Sequence, residues 1–342
     1  MNLLETSLNL NTHQAVVTPE MQQHTEVVAS PNPAVGVASI PAPTYLGGAI
    51  CVGLIGMLAV AAQAAGLKEK RVTSRNDTGA SSTQLPLTVR IEQNILYITL
   101  ARPALLNAIN LEMAELLQQH LIAARQNSAV RAIVITGKGR AFCSGGDLKF
   151  AVQANPDTPG DSFLALTAVL HQCVEEIRTM PKPVIASVNG VAAGAGLFLA
   201  LACDLRVMAK SAYLKQSNTS YGLATPAGGT FTLPRLVGIG RAMEIIMLDQ
   251  PINAKSAHKL GLVNQIVPHY TLATDTQALA TRVAQMPIET LGHMKQLVNQ
   301  SFYHTLNEQL AIERQTMAIC ANSNEGREGL SAFLQKRHPS YR

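Results

Sequence analysis

No Lys or Arg occurs before Lys68, no two cysteines are close enough for a C-x-x-C pair, and no long basic run carries interleaved aromatics. Each absence removes a class of function. Cys51, Cys143, Cys173, Cys203 and Cys320 are odd in number and scattered. They suit neither a disulfide framework nor a zinc site, and read as buried thiols in a reducing compartment. No His/Cys/Asp cluster suggests a metal. Charged residues make up only 14% of the chain and the net charge is +5, which argues against nucleic acid as a partner. What is present is apolar: 47% of 342 residues, enough for a folded chain with a large core and about two domains.

The chain divides near residue 85. Residues 1–44 are rich in Thr, Gln, Asn, Val and Pro and keep no helical or strand period, so they read as a largely disordered extension. Residues 45–67 (YLGGAICVGLIGMLAVAAQAAGL) carry no charge. A bilayer-spanning helix needs ~20 such residues, which makes this apolar helix a candidate membrane anchor. Its many Ala and Gly make insertion marginal, and the alternative is a segment lying loosely on the surface. It begins too far from Met1 for an ordinary signal peptide. Lys68, Lys70, Arg71 and Arg75 follow it, so the positive-inside rule would attach the C-terminal domain to the cytoplasmic face of a membrane. Residues 68–84, Ser/Thr/Asn/Gly-rich from 72 onward, read as a linker.

Residues 85–342 have α/β character. Val89–Ile91 and Ile95–Leu100, with turn-prone Gln93-Asn94 between them, predict a hairpin. Leu111, Ala114, Leu117, Leu121 and Ile122 predict a helix over 111–125. Ala132–Thr136 and Val184–Val188 read as strands covered on both faces. Phe163–Thr179 predicts a second helix, and the small residues of Gly190–Leu201 a third. Strand and helix alternate, as in β-α-β units with right-handed crossovers.

Three Gly-rich segments carry the chemistry: Ala141-Phe142-Cys143-Ser144-Gly145-Gly146-Asp147-Leu148-Lys149, Pro181–Gly196, and Tyr221–Thr230 with Leu233–Gly238 after it. Such turns let backbone N–H groups face a ligand unobstructed. Two converging turns can donate two hydrogen bonds to one thioester carbonyl, and a helix starting in the second adds its positive end. That is an oxyanion hole, where one lost donor raises a barrier by ~3 kcal/mol.

The order of these segments resembles the crotonase (enoyl-CoA hydratase/isomerase) superfamily. The likeness extends to Arg102-Pro103, Asn107-Ala108-Ile109, Ala202-Cys203-Asp204, Ala257–Pro268 and Gly326–Arg337. It implies a Clp-protease/crotonase-like β-β-α spiral with a C-terminal helical region, assembled as a homotrimer or hexamer. It also implies an acyl-CoA or acyl-carrier-protein substrate, with no cofactor beyond the coenzyme A or phosphopantetheine that the substrate brings. The implied oxyanion donors are the N–H groups of Gly146 and Ala195. Phe142, Ser144, Asp147 and Leu148 match the region that holds adenine and pantetheine, and Lys149 is a phosphate contact or a solvated surface lysine. Phe333 and Lys336 match positions that complete the pocket.

The places where the family puts carboxylates hold Phe198, Asn218 and Pro226. Phe and Pro transfer no protons, and an Asn amide only orients water or polarises a carbonyl. The resemblance therefore implies an isomerase, decarboxylase or dehydratase (a lyase of fatty acid or polyketide metabolism) rather than a two-glutamate hydratase. Asn218, Tyr221 and Thr225 are the remaining catalytic candidates, with Tyr221 also readable as a packed aromatic, Thr225 as a turn residue and nearby Lys215 as exposed. The loop from Tyr221 to Phe231 is weakly similar to polyketide β-branching enzymes that act on carrier-bound thioesters. A non-catalytic thioester-binding homologue is a further alternative. A Ser hydrolase using Ser144 and His171 would lack the G-x-S-x-G elbow, and His171 otherwise reads as an exposed helix residue. Asp204 reads as a helix or turn partner.

Overall fold

The computed structural model describes residues 85–341. The extension of 1–44, the candidate anchor of 45–67, Cys51 and the linker up to residue 84 lie outside the described residues. Among the described residues, no helix is long and apolar enough to cross a membrane.

β1 (Leu87–Glu92) and β2 (Ile95–Leu100) form the expected antiparallel hairpin. Gln93 and Asn94 close it at φ 51° and 63°, the paired left-handed residues of a turn whose twist matches the strands. α1 (Leu111–Gln126) is capped by the Asn110 side chain, which accepts from Met113 N, and buries Met113, Ala114, Leu117, Leu121 and Ala124. Ile122 is 41% exposed instead of buried. It lies about 100° round the helix from Leu121, off the buried stripe.

β3 (Ala132–Gly137), β4 (Ala141–Cys143), α2 (Leu148–Ala154) and α3 (Pro159–Thr179) follow. β5 (Val184–Val188), β6 (Val191–Ala193) and α4 (Ala195–Ala202) repeat that order, and β7 (Leu205–Ala209) and β8 (Tyr213–Lys215) begin it again. The predicted helix of Gly190–Leu201 is therefore corrected. The chain forms β6 first, and α4 starts only after Gly194, whose φ of 50° and ψ of −127° belong to no helix.

α5 (Gly229–Val237), α6 (Ile239–Leu248), β9 (Ile252–Asn253), α7 (Ala254–Lys259) and β10 (Gln265–Val267) complete the spiral. α8 (Leu272–Ala284), α9 (Ile288–Gln300), α10 (Leu306–Asn322) and α11 (Asn324–Leu334) form the helical C-terminal region. One sheet has the order β1-β2-β3-β5-β7-β10 and the other β4-β6-β8-β9. The middle turns of chain thus place one strand in each sheet before a helix returns it, which is the expected β-β-α spiral. β5 is buried at every residue, as a central parallel strand covered on both faces must be.

Polar clamps hold the strand ends that carry the site. Asn107 is fully buried; its Nδ2 donates to the carbonyls of Lys138, Ala141 and Phe142, and its Oδ1 accepts from Arg102 N. Asp204 accepts from Val184 N at 2.8 Å and pairs with Lys295 at 2.7 Å, so it is the structural partner that its sequence context predicts. Lys182 Nζ caps the end of α1 through the Ala124 and Asn127 carbonyls.

Candidate active site

The turn after β4 and the turn after β6 meet side by side. Gly145 has φ of 114°. A Cβ there would sit 3.1 Å from Ala193 O and 3.6 Å from Ala195 N, so glycine is needed for both backbone shape and space. One residue into α4, a Cβ on Gly196 would lie 2.3 Å from Cys143 O. That close approach locks the start of α4 against β4.

The first turn is also tied to the chain before α1. Ile109 N donates to Gly145 O and Asp147 N donates to Ile109 O, both at 2.8 Å, while Ser144 N donates to Leu106 O. These bonds skip Gly146. Ala195 is the first residue of α4, where N–H groups have no intrahelical acceptor. Among the described residues, neither the Gly146 nor the Ala195 N–H finds an acceptor. Both residues line one cavity of about 440 Å³.

α3 lines the same cavity through Phe163, Leu166, Thr167, Leu170 and His171, and the third Gly-rich segment lines it through Tyr221 to Pro226. Asn218 Nδ2 donates to Ala224 O at 3.2 Å. A carbonyl can only accept, so this bond sets the amide and leaves Oδ1 buried and without a partner. A Cβ on Gly194 would lie 3.4 Å from that oxygen, which places it beside the residue preceding the Ala195 donor. Thr225 Oγ1 accepts from buried Gln216 Nε2 at 3.0 Å, and Gln216 Oε1 accepts from Thr219 N. Tyr221 is 66% exposed at the cavity mouth, so it is not a packed aromatic.

Several expected contacts are not brought together. The Phe142 side chain is wholly buried in the core. Asp147 caps α2 through Phe150 N and pairs with Arg102 at 2.9 Å, so both positions serve the turn and not the cavity. Ser144 and Leu148 do line the cavity, and Lys149 follows them, exposed, in the first turn of α2. Phe333 is 80% exposed at the end of α11, Lys336 lies just beyond it, and neither lines the cavity. Phe198 faces the core beneath Gly229, while Pro226 lies on the cavity wall. The Ser hydrolase arrangement is absent among the described residues. Ser144 Oγ donates to Leu105 O, and His171 Nε2 accepts from Ala227 N. Burial pushes the neighbouring Cys143 thiol up to about 12, so it supplies no thiolate nucleophile.

Asp249 has no counterpart in the sequence reading. It ends α6 at φ 47°, only 7% exposed. Its carboxylate accepts from Ser217 N and Ser220 Oγ, with Lys215 Nζ at 3.9 Å. It thereby anchors the turn that carries Asn218, and Lys215 serves that anchor. The only sequence signal was an acidic residue at a helix C-terminus, where the helix dipole disfavours it.

The described domain coincides with a known family profile, that of enoyl-CoA hydratase/isomerase, which matches residues 90–342. The chain belongs to the enoyl-CoA hydratase/isomerase family. Within this family it is 38% identical over 254 residues to the 1,2-epoxyphenylacetyl-CoA isomerase of Escherichia coli K12, covering 73% of this chain and 96% of that one. It is 35% identical to the 2,3-dehydroadipyl-CoA hydratase of the same organism, covering 75% and 98%. Among solved structures, an enoyl-CoA hydratase from Polaromonas sp. JS666 superposes with a TM-score of 0.72 at 37% identity, covering 75% of this chain and 99% of that one. Family membership places the chain in the crotonase superfamily, in agreement with its spiral fold.

Proposed function

We propose that this family member is an enzyme acting on acyl-CoA thioesters, in which the Gly146 and Ala195 N–H groups stabilise the oxyanion of an enolate. The observation that carries the reading is the pairing of these two free donors at one cavity whose wall, among the described residues, contains no carboxylate. Donors fixed before the reaction stabilise developing charge without reorganising. Water addition to an enoyl thioester needs a positioned base and acid, and Asn218 offers only an amide where such a group would stand. The supported reactions are isomerisation, decarboxylation or elimination, which ask less of protein carboxylates. Ser144 and Leu148 at the rim, with exposed Lys149 beside them, form the approach for pantetheine and its phosphates.

The relatives named as a CoA isomerase and a CoA hydratase support the CoA thioester and leave both reaction types in play. The test is direct. The full chain is assayed with crotonyl-CoA and with 3-enoyl-CoA by thioester absorbance. The reading expects slow or no hydration of crotonyl-CoA and saturable CoA-thioester binding. Rapid hydration would overturn the assignment away from hydratase chemistry. Binding without any turnover would make the chain a thioester-binding homologue.

A further inference from the structure

A second cavity, of about 390 Å³, opens where β5 and β7 begin, with α3, α5 and α9 contributing to its wall. It shares no lining residue with the active-site cavity. Its wall has two parts. Pro183, Leu205, Leu236, Leu291, Met294 and Val298 supply hydrocarbon, and Arg178, Arg206 and Lys295 supply positive charge. Among the described residues, Asp204 is the one carboxylate that lines it. The wall therefore sets three cations against a single anion.

The fold fixes these charges without balancing them. Asp204 accepts from both Val184 N and Lys295 Nζ, so its charge is already met by Lys295. Arg206 is only 5% exposed, and its Nε and Nη1 donate to the Leu262 and Cys203 carbonyls. Arg178 Nη2 donates to the Asn299 amide oxygen. Carbonyls and amides satisfy hydrogen bonds but leave the net charge in place, and among the described residues neither arginine pairs with a carboxylate. Burial lowers the pKa of all three cations, Asp204 opposes that shift, and Arg178 adds to it at Arg206 and Lys295. Cys203 supplies no counter-charge, since burial pushes its thiol up to about 12. Like charges held together in a partly buried wall repel one another, and an anion beside them relieves that repulsion.

We propose that this cavity binds a small amphiphilic anion, with a carboxylate or phosphate head drawn to Arg178 and Arg206 and a short hydrocarbon body against the apolar wall. A guanidinium is a planar fork of donors that matches either head. The mixed wall disfavours two simpler occupants. A bare inorganic anion leaves the hydrocarbon wet, and a neutral chain leaves the excess charge unmet. Asp204 does not repel the head decisively, because Lys295 neutralises it and two arginines remain. The site is separate from the active-site cavity and does not depend on how that cavity is read.

The test is calorimetric titration of the full chain with hexanoate, hexyl phosphate, hexanamide and inorganic phosphate. Hexanoate or hexyl phosphate is expected to bind about tenfold more tightly than hexanamide and than inorganic phosphate, the worth of a charge-assisted hydrogen bond. Arg178→Gln removes one cation, keeps an amide donor and weakens that binding about tenfold. Met294 is 50% exposed in the cavity wall. Met294→Glu adds a negative charge there and weakens the anion about fivefold, while the neutral Met294→Gln stays within about twofold. Thermal unfolding of each variant checks that the fold is intact. Neither Arg178 nor Met294 lines the active-site cavity, so these variants distinguish the two sites. Four results each overturn the proposal: no binding of either amphiphilic anion, equal affinity for hexanamide, equal affinity for inorganic phosphate, or an anion affinity unchanged by both Arg178→Gln and Met294→Glu.

Discussion

Ser217 N–H donates to Asp249 Oδ1 at 2.6 Å, and both residues occupy the left-handed region, at φ 63° and 47°. Two non-glycine residues in this region mark a turn held by its surroundings, since such conformations cost of order 1–3 kcal/mol each. The turn they hold presents Asn218 and Tyr221 to the cavity. Asp249→Gly relieves the backbone at 249 and removes the anchor. Trypsin cleavage after Lys215 is expected to accelerate by about tenfold, with a change in Tm of only a few degrees. Asp249→Asn keeps an acceptor for Ser217 N and stays close to the parent. Unchanged cleavage of the glycine variant would show that the carboxylate does not hold the turn.

Ala195→Pro tests the oxyanion donor. Proline is accepted at the first position of a helix, where it removes the N–H and puts its ring Cδ in the space that the N–H faced. The expected result is a loss of about 10²-fold in kcat on the thioester that the enzyme turns over, with Tm little altered. An active proline variant would remove Ala195 from the oxyanion hole.

Asn107 tests the frame behind the first turn. Its amide satisfies the Lys138, Ala141 and Phe142 carbonyls, the last two through buried bonds. Asn107→Ala leaves these acceptors unmet and is expected to cost about 3 kcal/mol. In a domain of this size that lowers Tm by roughly 6–12 °C, readable by calorimetry. A shift under 2 °C, on the order of measurement scatter, would mean that water replaces the amide.

Buried thiols set an alkaline trend in stability. Burial pushes Cys143, Cys173 and Cys203 from the ordinary 9.0 up to about 12. Between those values the unfolded chain has released thiol protons that the folded chain retains. Their contribution is therefore complete below pH 9 and is lost as pH rises toward 12. Lys182 and Lys295, whose pKa values burial lowers, act in the opposite direction, so a variant isolates the effect. Cys143→Ala is expected to flatten the fall in unfolding free energy above pH 9 by about 1.4 kcal/mol per pH unit. An identical slope in denaturant titrations would refute the assignment.

Much of the fold was legible because local pattern and burial coincide. The hairpin around Gln93-Asn94 and the strands at 132–137 and 184–188 stand where alternation and apolar runs put them. β6 was missed because three small residues after Gly190 carry no strand period and pair only with β4 and β8, which are distant in sequence. The two turns that meet at the cavity were visible as glycine patterns. The α3 side of the cavity was not, since α3 reads only as an amphipathic helix and nothing in its spacing says which exposed face meets the turn at Ala227. The resemblance put Asp147 in the region that holds the coenzyme; which partners its carboxylate takes, Arg102 and Phe150 N, only the structure could show.

By itself the sequence determined the alternation of strand and helix, the positions of the glycine turns and the residue types Phe198, Asn218 and Pro226. These depend on residue type and short-range spacing, which the chain carries locally. Tertiary structure decided which N–H groups remain free, that Asn218 Oδ1 is left without a partner, which backbone N–H the His171 ring accepts from and what anchors the turn at Ser217. Several of those depend on partners far away in the sequence: Ala193 beside Gly145, Ala227 for His171 and Asp249 for Ser217. Hydrogen-bond satisfaction is a property of neighbours in space, so it appears only once the spiral has closed.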